Sequence, residues 1–212
     1  MPDGTDAMTE DGRRIVVFGA SGRTGRLVVE LAARRGHDVT AFVRDASKQW
    51  FPDAVHVRQG DPRDRDAVAD VLLGRDAVVS ALGPVAGVTT TEISDATRTI
   101  VGAMASVGVR RIAIAANAKV FTDDEVAGEY ANVAAEHRRD VAILRGSDLD
   151  WTVVATPFLT DDRPEAPYVA VVDAKAPGRS IPREDFATAL LDALDHDDWV
   201  GHVIGVASPP AV

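Results

Sequence analysis

Hydrophobic and polar positions along this chain fall into two alternating kinds of block. Short apolar runs, Arg14–Phe18, Val39–Arg44, Ala54–Gln59, Asp76–Leu82, Arg110–Ala118 and Asp150–Ala155, are continuous or alternate with period two, and most close on glycine or a polar side chain. Such runs predict strands, and the continuous ones predict strands covered on both faces. Between them apolar residues recur at intervals of three and four. Leu27, Val28, Leu31 and Ala32 form one such set, and Val68, Val71 and Leu72 a second. Ile93, Ala96, Ile100, Val101, Met104 and Val107 fall within a helix predicted from Thr89 to Gly108. Tyr130, Val133, Ala134, His137, Val141 and Leu144 form the stripe of another, from about Val126 to Arg145. Each set marks a helix with one buried face.

Strand and helix alternate five times with short links. That order predicts an α/β fold of three layers, a doubly wound and mainly parallel sheet with right-handed crossovers. Ligands of such sheets gather at the carboxyl ends of the strands. Here those ends are Gly19, Arg44, Asp61, Leu82–Gly83 and Ala116–Asn117, so five separate positions converge on one crevice. The tail offers a strand or hairpin at Tyr168–Asp173, a helix from Pro182 to about Leu194 and a last strand at His202–Val206. It is too short for a second domain and is expected to form a small C-terminal cap over the crevice. Residues 13–212 are therefore expected to be a single domain, preceded by an acidic, disordered lead-in at residues 1–12.

The first strand runs into Gly19-Ala20-Ser21-Gly22-Arg23-Thr24-Gly25, three glycines at intervals of three before a helix. A side chain on Gly19 would obstruct the turn, one on Gly22 would hold the backbone off a pyrophosphate, and one on Gly25 would separate helix from sheet. The free N–H groups of the helix start then face an anion. In its strand–turn–helix context the stretch predicts dinucleotide binding. NAD sites carry Asp or Glu about 20 residues further on, at the end of the second strand, to bind a ribose hydroxyl. Arg44 stands there instead, where its guanidinium could grip a 2′-phosphate with help from Arg23. NADP(H) is therefore expected over NAD(H). In the alternative, Arg44 is a solvated strand-end charge and Asp45 binds the ribose. Asp61, ahead of Pro62, is placed either beside an adenine or as a helix N-cap.

Charge and composition narrow the partners. The 212-residue chain has 33 acidic against 23 basic side chains, a net charge of −10, with no dense basic cluster, which disfavours nucleic acid and anionic membrane. It has no cysteine, so disulfides and thiolate chemistry are excluded. No apolar run approaches the roughly 20 residues of a membrane span, and a cytoplasmic monomer or homodimer is expected.

Carbonyl-reducing short-chain dehydrogenases use a Tyr with a Lys four positions on to protonate a forming alkoxide. Tyr130 is followed at that spacing by Ala134. This favours an acceptor that spreads negative charge by conjugation, a flavin, quinone or bilin, or no turnover at all.

Gly19–Gly25, His37–Asp45, Asp76–Gly83, Asp95–Gly108, Leu144–Trp151 and Ile181–Asp185, in this order, resemble an atypical short-chain dehydrogenase/reductase of the NAD(P)H-binding group that includes flavin reductase and biliverdin-IXβ reductase. The resemblance implies a Rossmann domain with NADP against Gly19–Gly25, Arg44, Asp61, Leu82 and Gly83, and nicotinamide near Asn117 and the Thr156-Pro157-Phe158 turn. The chain departs from that group where Asn117 replaces a serine and Phe158 a histidine; His137 matches a histidine of the group. Asn117 could bond a carboxamide and Phe158 could stack on a flat acceptor, while His137 is either a proton or substrate residue or an ordinary helix histidine. Lys119 is a solvated loop lysine or an attractor of anionic substrate. The implied activity is NADPH-dependent reduction of a flavin or quinone; the alternatives are a non-catalytic NADP(H) sensor and, behind both, a nucleotide-sugar epimerase or dehydratase.

Overall fold

Strand β1 (Arg14–Phe18) shows how the layers arise. Ile15 and Val17 pack into the cluster that holds Val28, Val29 and Ala32 of helix α1 (Arg23–Arg34), while Val16 and Phe18 pack into the opposite cluster. Successive side chains of a strand point to opposite faces, so a run apolar at every position demands cover on both sides. The computed structural model describes residues 12–48, 50–122 and 125–210. The lead-in expected at residues 1–12 lies outside these except for Gly12.

Strands β2 (Asp38–Val43), β3 (His56–Gln59), β4 (Ala77–Ser80), β5 (Arg111–Asn117), β6 (Asp150–Thr156), β8 (Val169–Val172) and β10 (His202–Ala207) complete an eight-stranded sheet. Its order is β3-β2-β1-β4-β5-β6-β10-β8, parallel throughout except where β8 pairs antiparallel with β10. One layer holds α1 and α5 (Arg183–Asp192), which pack on each other. The other holds α2 (Arg65–Leu72), α3 (Glu92–Val107) and α4 (Ala131–Arg145). Ile112, Ile114, Ile100, Met104 and Leu144 are at most 2% exposed in that second layer. Each such side chain contributes about 1.5–3 kcal/mol by leaving water. The edge strand β3 is exposed along its whole length and carries His56, Arg58 and Gln59, polar groups that discourage edge-to-edge pairing.

Three local expectations change. Helix α4 begins at Ala131, five residues later than the predicted start at about Val126. Gly128 adopts φ +73 and opens a 3-10 turn over Gly128–Tyr130, which leaves Tyr130 exposed and off the buried stripe. The N-cap of α2 is Asp64, whose carboxylate accepts from the N–H groups of Asp66 and Ala67, so Asp61 does not cap that helix. Much of the tail extends the sandwich: β10 and β8 widen the sheet and α5 covers it. Only the two-stranded sheet of β7 (Phe158–Thr160) and β9 (Ser180–Pro182) stands apart from the main one.

Candidate active site

The strand order reverses between β1 and β4, and a cleft of about 700 Å³ opens there. Its floor is the glycine turn. Gly19 has φ +73, and a Cβ on it would meet the Ala81 backbone at 2.7 Å; on Gly25 it would lie 2.1 Å from the Gly19 carbonyl oxygen. Turn, helix and β4 therefore touch backbone to backbone, as only glycine allows. The first intrahelical bond of α1 runs from the Arg26 N–H to the Gly22 carbonyl, 3.0 Å. The N–H groups of Arg23, Thr24 and Gly25 precede it, and Gly22 supplies no side-chain cap. A helix start left uncapped at a cleft is an anion cradle.

Around the cleft stand Arg44 at the end of β2, Asp61 and Pro62 beyond β3, and Leu82 and Gly83 beyond β4. Arg44 is exposed and makes no ion pair among the described residues, whereas Asp45 is absent from the lining and accepts a bond from the Ser47 hydroxyl at 2.6 Å. Asp61 is held by Arg63, through Nε at 3.0 Å, Nη2 at 2.7 Å and its backbone N–H at 2.9 Å. The Arg63 guanidinium and N–H bonds hold the Asp61 carboxyl down to about 2, so it is ionised at any ordinary pH.

Two lining cations escaped the sequence reading. Arg63 was hidden behind Pro62. Arg183 comes from the start of α5, is 8% exposed, and reaches the Thr24 hydroxyl at 3.3 Å while its Nε donates to Asp161 at 2.8 Å. Asp161 also accepts from Arg23 at 3.1 Å, so one carboxylate ties the glycine turn to the segment after β7.

Further along the carboxyl edge lies a second cavity of about 420 Å³, at the ends of β5 and β6, that contains Asn117, Pro157 and Phe158. These strands follow β4 in the sheet at spacings of about 5 Å each. Asn117 accepts the Lys119 N–H at 2.9 Å and donates Nδ2 toward the Pro157 carbonyl at 3.4 Å, which binds the β5 end to the β6–β7 turn. An amide carries two donors and two lone pairs, so Asn117 keeps capacity for a ligand. Phe158 is 66% exposed and Tyr130 49%, both at this cavity. Lys175 and Arg179, from the loop before β9, also line it and had no sequence signal.

Ala20, Gly25, His137 and Thr156 line neither cavity. Ala20 is in the core and Gly25 serves helix–sheet contact. His137 is 6% exposed on α4, with Nδ1 3.7 Å from the Asp140 carboxylate. Among the described residues, the buried Thr156 hydroxyl has no hydrogen-bond partner.

A buried acid joins the two halves. Glu136 of α4 is fully buried and accepts from the N–H groups of Ile93 and Ser94 at 2.9 and 3.1 Å, from the Ser94 hydroxyl, and from Arg139 Nε. It thereby caps α3, whose first residues line the first cleft. Burial pushes its carboxyl up, but the Ser94, Arg139 and Ile93 donors outweigh this and the net shift is downward.

The sequence pattern of the NAD(P)H-binding family matches residues 19–197. YwnB of Bacillus subtilis (strain 168), an uncharacterized protein, is 28% identical over 204 residues, 87% of this chain and 93% of its own. Among solved structures, a short-chain dehydrogenase/reductase from Veillonella parvula DSM 2008 in complex with NADP is 20% identical with a TM-score of 0.76, and 93% of this chain covers 95% of that one. SP1627 from Streptococcus pneumoniae TIGR4, a suggested NADH-flavin reductase, is 24% identical with a TM-score of 0.80, and 93% of this chain covers all of it.

Proposed function

The chain belongs to the NAD(P)H-binding family, with the Rossmann architecture of atypical short-chain dehydrogenases/reductases, and we propose that it is an NADPH-dependent reductase of a planar conjugated acceptor, flavin or quinone in type. The observation that carries this reading is the uncapped start of α1, open to the cleft beside Arg44, which has no ion pair among the described residues. The N–H groups of Arg23, Thr24 and Gly25 would hold a pyrophosphate, and the Arg44 guanidinium a 2′-phosphate, hence NADP over NAD. Asp61, fixed by Arg63, and the Leu82–Gly83 backbone would border the adenosine and its neighbouring ribose. Asn117 would orient a carboxamide through its spare N–H. Bound there, the nicotinamide supplies a hydride.

Phe158 and Tyr130 would face the acceptor ring as aromatic walls. A conjugated acceptor spreads the arriving negative charge over its ring, so the missing Tyr/Lys pair is no obstacle. The protein's work is then orientation and exclusion of water. The suggested flavin reductase among the structural neighbours supports this choice of acceptor class.

The test is loss of NADPH absorbance with FMN, riboflavin or a quinone. Saturable turnover that disappears in Gly22→Trp is expected. Tight NADPH binding with no oxidation of any acceptor would overturn it, in favour of an NADP(H)-sensing regulatory protein. That second reading is supported by the burial of His137 away from both cavities and by Ala134 in the lysine position.

A further inference from the structure

We propose that the second cavity selects acceptors carrying an anionic group, a phosphate or carboxylate attached to the planar ring, and that Lys119, Lys175 and Arg179 are its specificity determinants. This rests on reading the carboxyl edge as a reductase site and adds the substrate class.

The walls of the cavity are apolar and aromatic, with Tyr130, Pro157 and Phe158 among them, and its lining contains three cations and no carboxylate. None of the three cations has an ion-pair partner within 4.0 Å among the described residues. Other exposed arginines, Arg44 among them, also lack an ion pair among the described residues, but here three cations share one cavity whose lining holds no carboxylate. In a chain of net charge −10, Arg14, Arg23, Arg63, Arg98, Arg110 and Arg183 each hold an aspartate or glutamate. Three cations around one cavity whose described lining has no carboxylate repel one another. Such an arrangement is relieved by an anion, and a wall of low polarity strengthens the attraction.

The cations are held in place by backbone. Lys175 and Arg179 lie on the segment between β8 and β9, which is fastened at its start to β10 and at its end to Ser208, just beyond β10. At its start Asp173, at φ +53, accepts the Val203 N–H at 3.0 Å and pairs with His202 at 2.6 Å, and its own N–H reaches the Val203 carbonyl at 2.7 Å. At its end the Ser208 N–H donates to the Ser180 carbonyl at 2.9 Å. Between these anchors the segment lies directly on the strand. A Cβ on Gly205 would fall 2.1 Å from the Ala174 carbonyl oxygen, and one on Gly178 2.4 Å from that of Ser208. Two glycines thus let the segment dock, and Ala176 between the cations is buried. On the other side Lys119 is set by its N–H bond to Asn117, the residue assigned to the nicotinamide. The positive group therefore borders the place where an acceptor would meet the hydride donor.

FMN and riboflavin share one ring and differ by a phosphate, so they are the probes. Flavin fluorescence is titrated with the full-length protein at low salt, without NADPH. FMN is expected to bind roughly tenfold or more tightly than riboflavin, and the difference should shrink as salt is raised. The triple variant K119E/K175E/R179E should lose the FMN preference while its riboflavin affinity and its NADPH affinity by calorimetry stay within a factor of about two. The three side chains are exposed, so a melting curve matching the unsubstituted protein is expected and checks the fold. Equal affinity for the two flavins, binding of neither, or an FMN preference that survives in the triple variant would each overturn the proposal. Failure of NADPH to bind would instead sink the reductase reading, and the two failures are read in separate titrations.

Discussion

The two cavities on the carboxyl edge treat positive charge in opposite ways. In the first, Arg23, Arg63 and Arg183 are already bound to carboxylates, and the attraction for an anion comes from backbone N–H groups with Arg44 as the one guanidinium of the lining lacking an ion pair among the described residues. In the second, backbone donors give way to aromatic walls and side-chain cations without an ion pair among the described residues. Backbone donors set on three close-packed glycines cannot shift, which suits a phosphate chain that must lie in one register. Long cationic side chains adapt, which suits an acceptor whose charged arm varies.

The strongest way to separate the two is Gly22→Trp. An indole on the floor of the first cleft should abolish NADPH binding by calorimetry, more than a hundredfold, while flavin binding at the second cavity persists; loss of both would show that the cavities are not independent.

Next in size is Arg44→Ala. Charge-assisted bonds to a phosphate contribute about 1.5–3 kcal/mol, so NADPH affinity should fall about ten- to hundredfold with NADH affinity unchanged. Equal use of NADPH and NADH by the unsubstituted protein would remove the role given to Arg44.

Glu136→Gln loosens the bolt between α3 and α4 that supports both cavities. The loss of charge on a fully buried acceptor should cost about 1–2 kcal/mol in denaturant unfolding at neutral pH. The folded carboxyl is held below its ordinary value, so its stabilisation is complete above the unfolded glutamate value of about 4.3. It fades as pH falls from there through the lower folded value. The glutamine variant should lack that component of acid sensitivity, and identical pH profiles would show that the cap carries no charge effect.

The smallest change expected is Phe158→Ala. Loss of one exposed aromatic wall, worth about 0.5–1.5 kcal/mol, should raise the KM for flavins and quinones a few-fold and leave NADPH affinity alone. An effect on NADPH instead would move Phe158 to the nicotinamide.

Among the described residues, periodicity located all five α-helices and all but the two three-residue strands β7 and β9, while the short 3-10 turns left no such signal, because a strand covered on both faces and a helix covered on one leave different imprints on a linear chain. Where it failed, the cause was local backbone. Gly128, at positive φ, opens a 3-10 turn inside the span predicted to be helical from about Val126, and Asp64 outcompetes Asp61 as N-cap because it stands immediately before the first helical residue.

By itself the amino-acid sequence determined the glycine turn, the order of strands and helices, and the placing of Arg44, since each depends on neighbours within a few residues. Only the tertiary structure decided that Arg183 reaches Thr24, that Glu136 caps α3, and that Lys175 and Arg179 share a cavity with Lys119. Those pairings join residues far apart in the chain, the first two by side-chain hydrogen bonds and the last by a segment docked at Gly205 and Gly178, and distances across a packed sheet leave no periodic trace in the order of residues.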